Sequence, residues 1–214
     1  MNTYLDRQGP RVAQGLALVV GMVALMWAVE IVDIAAGELD ANGIAPRDVD
    51  GLDGIVWAPF LHGGFLHLLG NTVPFLLLGA AIAWSGLRRV AAVAAIVAVV
   101  GGLGTWLVGP AGTIHIGASG LVFGFAAYLV SRGAFSRRPA HLAVGVLVLL
   151  VYGTTLLVGL VPTPGVSWQG HLFGALGGLA AARALNARRE ARLPLGSPQP
   201  MRGRTLGRRG TQGA

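Results

Sequence analysis

The sequence predicts an all-α membrane protein, a bundle of six transmembrane helices. Three observations lead there. First, 54% of the 214 residues are apolar and only 12% are charged, about half the charge of a soluble domain. Second, the charges are missing in long runs: 34 residues lie between Asp53 and Arg88, 42 between Arg89 and Arg132, and 44 between Arg138 and Arg183. Third, all 16 cationic residues are Arg, and they cluster between those runs. This apolar content excludes a soluble enzyme, a disordered chain and a nucleic-acid binder, despite the formal net charge of +7. The Arg-only cation set, with abundant Ala, Gly and Val, points to a G+C-rich bacterial genome.

A helix needs about 20 apolar residues to cross the hydrocarbon core. Val12–Val29 supplies the first and runs on to about Ala36. An Arg-flanked apolar run of this kind can also be a secretory leader. Glu30 and Asp33 stand where its small-residue cleavage site would be, so a retained helix is expected. The acidic connection 37–64 follows. The second helix is Phe65–Trp84. The 42-residue run holds two, Val90–Gly109 and Gly117–Ser131, broken at Pro110, Gly112 and Gly117. The 44-residue run holds the last two, Ala140–Val161 and Trp168–Ala184, broken at Pro162-Thr-Pro-Gly165. Residues 1–11 form a cytoplasmic N-terminus, 12–187 the helical domain, and 188–214 an Arg/Gly/Pro-rich cytoplasmic tail that reads as disordered from about Leu193.

Fifteen of the 16 Arg fall in alternate connections and termini, with Arg47 the exception. The positive-inside rule places those segments, and both termini, in the cytoplasm. A multi-pass protein of the bacterial cytoplasmic membrane is the expectation. Zinc-thiolate, disulfide and thiol-nucleophile chemistry are excluded, because there is no Cys.

Polar groups at membrane depth are functional candidates. The helices supply His67 and Asn71, Ser119, and His171; His62 and His115 lie in outer connections, and His141 beside the cytoplasmic Arg cluster. Ser119 stands 13 residues above Arg132 and His171 12 above Arg183. At 1.5 Å per residue both lie roughly 20 Å up, level enough for a nucleophile and a base to meet. Asn71, 17 residues above Arg88, reaches the same layer with tilt. Gly170, Gly174, Gly178 and Ala182 form a small-residue ridge that can pack against Gly120 and Gly124. Each feature alone has a structural explanation: an intramembrane Ser bonding its own backbone, a His in a packed interface, a Gly ridge serving helix contact.

Together they resemble the rhomboid family of intramembrane serine proteases, over about Ala58–Arg183. His62-Gly-Gly-Phe-Leu-His67-Leu-Leu-Gly-Asn71 resembles the family's second-helix signature. Gly117-Ala-Ser119-Gly120 resembles its nucleophile motif, and His171-Leu-Phe-Gly174-Ala-Leu-Gly-Gly178 its last-helix motif. The resemblance implies Ser119 as nucleophile, His171 as base, and His67 and Asn71 at the oxyanion site. It also implies cleavage of membrane proteins in or near a transmembrane helix, close to its outer end, with small residues at the cut. Phe123 stands where the family often has Tyr, which keeps a ring and loses a hydroxyl. The first outer connection is short and acidic and lacks the Trp-Arg pair of many members.

The chemistry agrees with the residues. Ser Oγ needs a base to become nucleophilic, and no Asp or Glu occurs in the second to sixth predicted helices, so a dyad is expected rather than a triad. Helix-start N–H groups with Asn71 and His67 supply oxyanion donors. No cofactor, no metal and no nucleic acid is called for; the partners are membrane-protein substrates and the lipid bilayer, and nothing bears on oligomeric state. Two rival functions make different demands. A His-relay transporter needs acidic residues in the bundle, and an inactive rhomboid-like chaperone lacks the Ser or the His. An H-E-x-x-H metalloprotease motif is absent.

Overall fold

The computed structural model describes residues 3–136 and 138–190. Among them are seven α-helices rather than the six expected: α1 (Thr3–Ala36), α2 (Gly54–Trp57), α3 (Phe65–Ala83), α4 (Leu87–Val108), α5 (Ser119–Ser136), α6 (Pro139–Val158) and α7 (Trp168–Glu190). The added helix, α2, is four residues long and lies in the first connection. The same connection carries 3-10 turns at Leu39–Asn42, Asp50–Leu52 and Ala58–Phe60. Turns this short leave no hydrophobic periodicity to read, so the segment looks like loop in the sequence. Arg137, and the tail from Leu193 predicted to be disordered, lie outside the described residues.

Among the described residues, length and composition qualify four helices to cross a membrane, not six: α1 from Gly9 to Ala36, α3, α4 and α6. The two that fall short, α5 and α7, pack closely against each other, α5 largely buried and α7 with Leu176 and Leu179 exposed along one face. A Cβ built on Gly174 would collide with the Gly120 carbonyl, and one on Gly178 with the Gly124 carbonyl. The ridge read from the sequence therefore brings α5 and α7 into backbone contact, as small residues allow. On its other side α7 meets α4, where a Cβ on Gly177 would lie 2.9 Å from Val97 Cα. A helix packed on both sides can carry Ser, His, Gln and Arg and lose apolar content without facing hydrocarbon. By contrast α6 buries only Gly145 and Val148 and exposes Leu142, Leu147, Leu150 and Leu157, the composition of a lipid-facing helix.

The core lies between α3, α4, α5 and α7, with Phe75 and Phe125 rings 5.1 Å apart and Tyr128, Ile82, Val93 and Ala181 fully buried. Outside it, α1 is pinned to α3 by a 3.1 Å bond from Trp27 Nε1 to Thr72 Oγ1. The helix ends sort by chemistry. Arg11 meets the α3–α4 turn at Gly86. At the opposite end, residues 37–64 dock on the segment that precedes α5. Ile44 and His115 exchange backbone bonds of 3.0 and 2.9 Å, and Gly117 N–H donates to the Ala58 carbonyl at 2.8 Å.

Candidate active site

Ser119 is the first residue of α5 because Gly117 reverses the chain just before it. Gly117 has φ +108, and a Cβ there would lie 2.7 Å from His67 Cε1. Only glycine fits both the conformation and the space. The next amide, Ala118 N–H, donates to His62 Nε2 at 3.3 Å. Beyond the turn, Val122 N–H donates to the Ala118 carbonyl at 3.0 Å and opens the helical ladder. Ser119, Gly120 and Leu121 thus contribute the amides of a helix N-terminus, which have no partner four residues back and which favour negative charge.

His171 lies in the first turn of α7. Ser167 caps that helix, its Oγ accepting the Gly170 N–H at 3.2 Å and its carbonyl the His171 N–H at 3.1 Å. Two first turns therefore face each other at one end of the molecule, and Ser119 Oγ stands 2.9 Å from His171 Nε2. The other ring nitrogen, Nδ1, is 2.7 Å from the Gly159 carbonyl. A carbonyl only accepts, so Nδ1 carries the hydrogen and the Nε2 lone pair is left for the serine hydroxyl. Gly159 follows the last residue of α6, where helix carbonyls lack intrahelical donors. Its missing side chain matters: a Cβ would overlap Phe123 Cζ and lie 3.1 Å from His171 Nδ1. Phe123, one turn beyond Ser119, stacks on the imidazole at 4.0 Å with planes 5° apart. A phenyl ring thus stacks on the imidazole at the position where the resemblance noted above expects a tyrosine.

His67 and Asn71 project from one face of α3 into the same cavity as Ser119 and His171, a space of about 1070 Å³. Asn71 is 5% exposed, and its Nδ2 donates to the His67 carbonyl at 3.0 Å. One amide hydrogen is spent there and the second is free to serve the cavity. His62, 1% exposed, meets the His67 ring edge-on at 5.1 Å. Burial, with the neighbouring His67 adding to it, pushes the His62 pKa down to about 4. A neutral ring is what the Ala118 N–H requires as acceptor. His141 lies elsewhere, at the Arg-bearing end, 2.7 Å from Ser136 Oγ. Among the described residues, no group of three or more His, Asp or Glu side chains is placed to hold a metal.

All four site residues expected from the sequence thus meet in one cavity. Sequence reasoning missed two partners. The Gly159 carbonyl is a backbone atom with no letter of its own; its one trace is a glycine just past a helix end. The His62 bond to Ala118 had a signal, a histidine five residues before His67, without an indication of what it holds.

A family model for the Rhomboid domain matches residues 51–188. An uncharacterized protein of Mycobacterium tuberculosis is 46% identical over 188 residues, covering 83% of this chain and 78% of that protein. An uncharacterized protein of Mycobacterium leprae is 44% identical over 183 residues, covering 81% and 72%. A Bacillus subtilis protein that bears the provisional name of rhomboid protease is 28% identical over 119 residues, covering 55% and 59%.

Proposed function

The chain belongs to the rhomboid family, and on that premise we propose that it is an intramembrane serine endopeptidase working through a Ser119–His171 dyad. The observation that carries this reading is the 2.9 Å Ser119–His171 contact with the far nitrogen of the imidazole bonded to Gly159. In a serine triad, a buried carboxylate holds the histidine tautomer. Here no acid occurs from α3 through α6, and α7 has only Glu190 at its end. The Gly159 carbonyl takes over the orienting part of that role.

The steps follow from the geometry. Ser119 Oγ attacks the scissile carbonyl carbon while its proton passes to His171 Nε2. The resulting imidazolium donates both N–H groups, one of them to Gly159. Charge on the former carbonyl oxygen is met by the first amides of α5, with Asn71 Nδ2 and His67 as side-chain donors. Collapse of the tetrahedral intermediate breaks the C–N bond, and His171 returns its proton to the leaving amine. A water, deprotonated by His171, then hydrolyses the acyl-serine.

The substrates in this reading are membrane proteins cut in or beside a transmembrane helix. The site lies at the end opposite Arg11 and the α3–α4 turn, so the Arg asymmetry faces it outward from a bacterial cytoplasmic membrane, with both termini inside. The test is proteolysis of a model transmembrane substrate in liposomes by wild type and by Ser119→Ala. Cleavage by wild type alone is expected; equal cleavage by both discards the dyad.

A further inference from the structure

The Ser119–His171 pair has a counterpart one helical turn outward. His115 stands four residues before Ser119, and Ser167 four residues before His171, so the two residue types are exchanged between the segments. His115 Nδ1 and Ser167 Oγ are 2.7 Å apart. Donors and acceptors assign themselves along this chain. Ser167 Oγ already accepts the Gly170 N–H, and its own hydrogen goes to Nδ1. His115 Nε2–H donates to Thr113 Oγ1 at 3.1 Å, and the Thr113 hydroxyl donates to the Pro110 carbonyl at 2.7 Å. Each donor finds one acceptor while the imidazole is neutral. The His115 backbone is fixed as well, both its polar groups being paired with Ile44. A Cβ at Gly109 would lie 2.8 Å from His115 Nε2, so the ring is held closely on that side.

Ser167 is the cap of the helix that carries His171, and His115 lies in the segment that leads into the helix carrying Ser119. Both also line the cavity of about 1070 Å³ and a smaller void of about 50 Å³ that Ser119 shares. We propose that the His115–Ser167 hydrogen bond is a positioning clamp: it locks the first turns of α5 and α7 together, so that Ser119 Oγ and His171 Nε2 stay within bonding reach. The clamp rests on the serine-protease reading and adds two positioning residues to it. α5 and α7 touch below through glycines, which fix how near the helices lie. Such contacts restrain sliding along the axes poorly, and a side-chain bond at the outer end supplies that restraint.

The experiment measures two quantities in detergent-purified full-length protein: the rate at which a fluorophosphonate labels Ser119, and kcat and KM for a transmembrane model substrate. His115→Ala and Ser167→Ala are each expected to slow labelling and kcat about tenfold, with KM within about twofold. The double variant is expected to be no slower than the slower single, since either change removes the same bond. His115→Asn, whose Oδ1 accepts where Nδ1 did, is expected to recover most of the rate, while His115→Leu, of similar size, is not. His115→Ala leaves the α7 cap in place, so it separates the clamp from the capping role of Ser167. Should His115→Ala fail to fold, the Asn and Leu variants decide alone. Labelling of His115→Ala or His115→Leu at the wild-type rate, or additive losses in the double variant, overturns the clamp. Absence of labelling in wild type itself would instead remove the serine-protease reading beneath it.

Discussion

Gly159→Ala is a small change with a large expected effect. The added methyl would overlap Phe123 Cζ and lie 3.1 Å from His171 Nδ1. To regain an ordinary carbon–carbon separation of about 3.5 Å, the phenyl ring must withdraw by roughly 1 Å. That ring stacks on His171 at 4.0 Å, and Nδ1 is bonded to residue 159 itself at 2.7 Å. The imidazole cannot follow the phenyl ring and keep both bonds. A shift of about 1 Å takes the 2.9 Å Ser119–His171 contact beyond hydrogen-bond range. Misplacement on that scale costs about 10²-fold in rate, or roughly 2.7 kcal/mol. Overpacking costs stability too, about 1–3 kcal/mol. The assay is kcat on a transmembrane model substrate, measured beside a melting curve on the same preparation. An expected result is kcat down about 10²-fold in a protein that still melts cooperatively. A folded Gly159→Ala protein with wild-type kcat would refute the tautomer-lock reasoning.

Three further predictions follow from the site and its surroundings. In the proposed mechanism Asn71→Ala removes one of several oxyanion donors, so kcat is expected to fall by about 10²–10³ while staying measurable above Ser119→Ala, with KM little moved; a drop in melting temperature with kcat intact would make Asn71 a structural bond only. His62 is neutral in the fold, its pKa pushed by burial from the ordinary 6.5 down to about 4, so the unfolded chain binds the proton first as pH falls. Stability is then complete above about pH 6.5 and declines toward pH 4, by on the order of 3 kcal/mol. His62→Gln, which keeps an acceptor and does not titrate, is expected to flatten that part of the melting profile; an unchanged slope contradicts the assignment. Reporter fusions at Ser136 and Asp50 are expected to report opposite sides of the membrane, and the same side for both would overturn the topology.

Much of this architecture was legible because lipid imposes a simple code. Uncharged runs marked the long helices, and Gly117, Pro110 and Pro162 marked their breaks. The Gly174 and Gly178 spacing identified the face of α7 that meets α5, since only glycine permits carbonyls of the facing helix to approach so closely. The helix count misled where the code weakens. Residues 37–64 fold by short turns and backbone bonds to His115 and the α4 end, such as Arg47 N–H to the Trp106 carbonyl at 3.1 Å, and neither leaves a periodic signature. The hydropathy of α5 and α7 is lowered by Ser119, Arg132 and His171, of which Arg132 and His171 are buried within the protein. In the candidate site, the four side chains that line one cavity, His67, Asn71, Ser119 and His171, were readable from type and spacing and from the family resemblance. The Gly159 carbonyl was not, because a backbone acceptor becomes visible only when the fold places it. The His115–Ser167 bond escaped for a different reason: neither residue occupies a membrane-depth position that would single it out.

The most direct test of the central claim is covalent. Wild-type protein, His171→Ala and Ser119→Ala are treated with a fluorophosphonate, and the modified peptide is located by mass spectrometry. The dyad predicts a single adduct on Ser119 in wild type, labelling of His171→Ala slowed by orders of magnitude although its serine is intact, and none in Ser119→Ala. Labelling of His171→Ala at the wild-type rate, or an adduct on another residue, would contradict it.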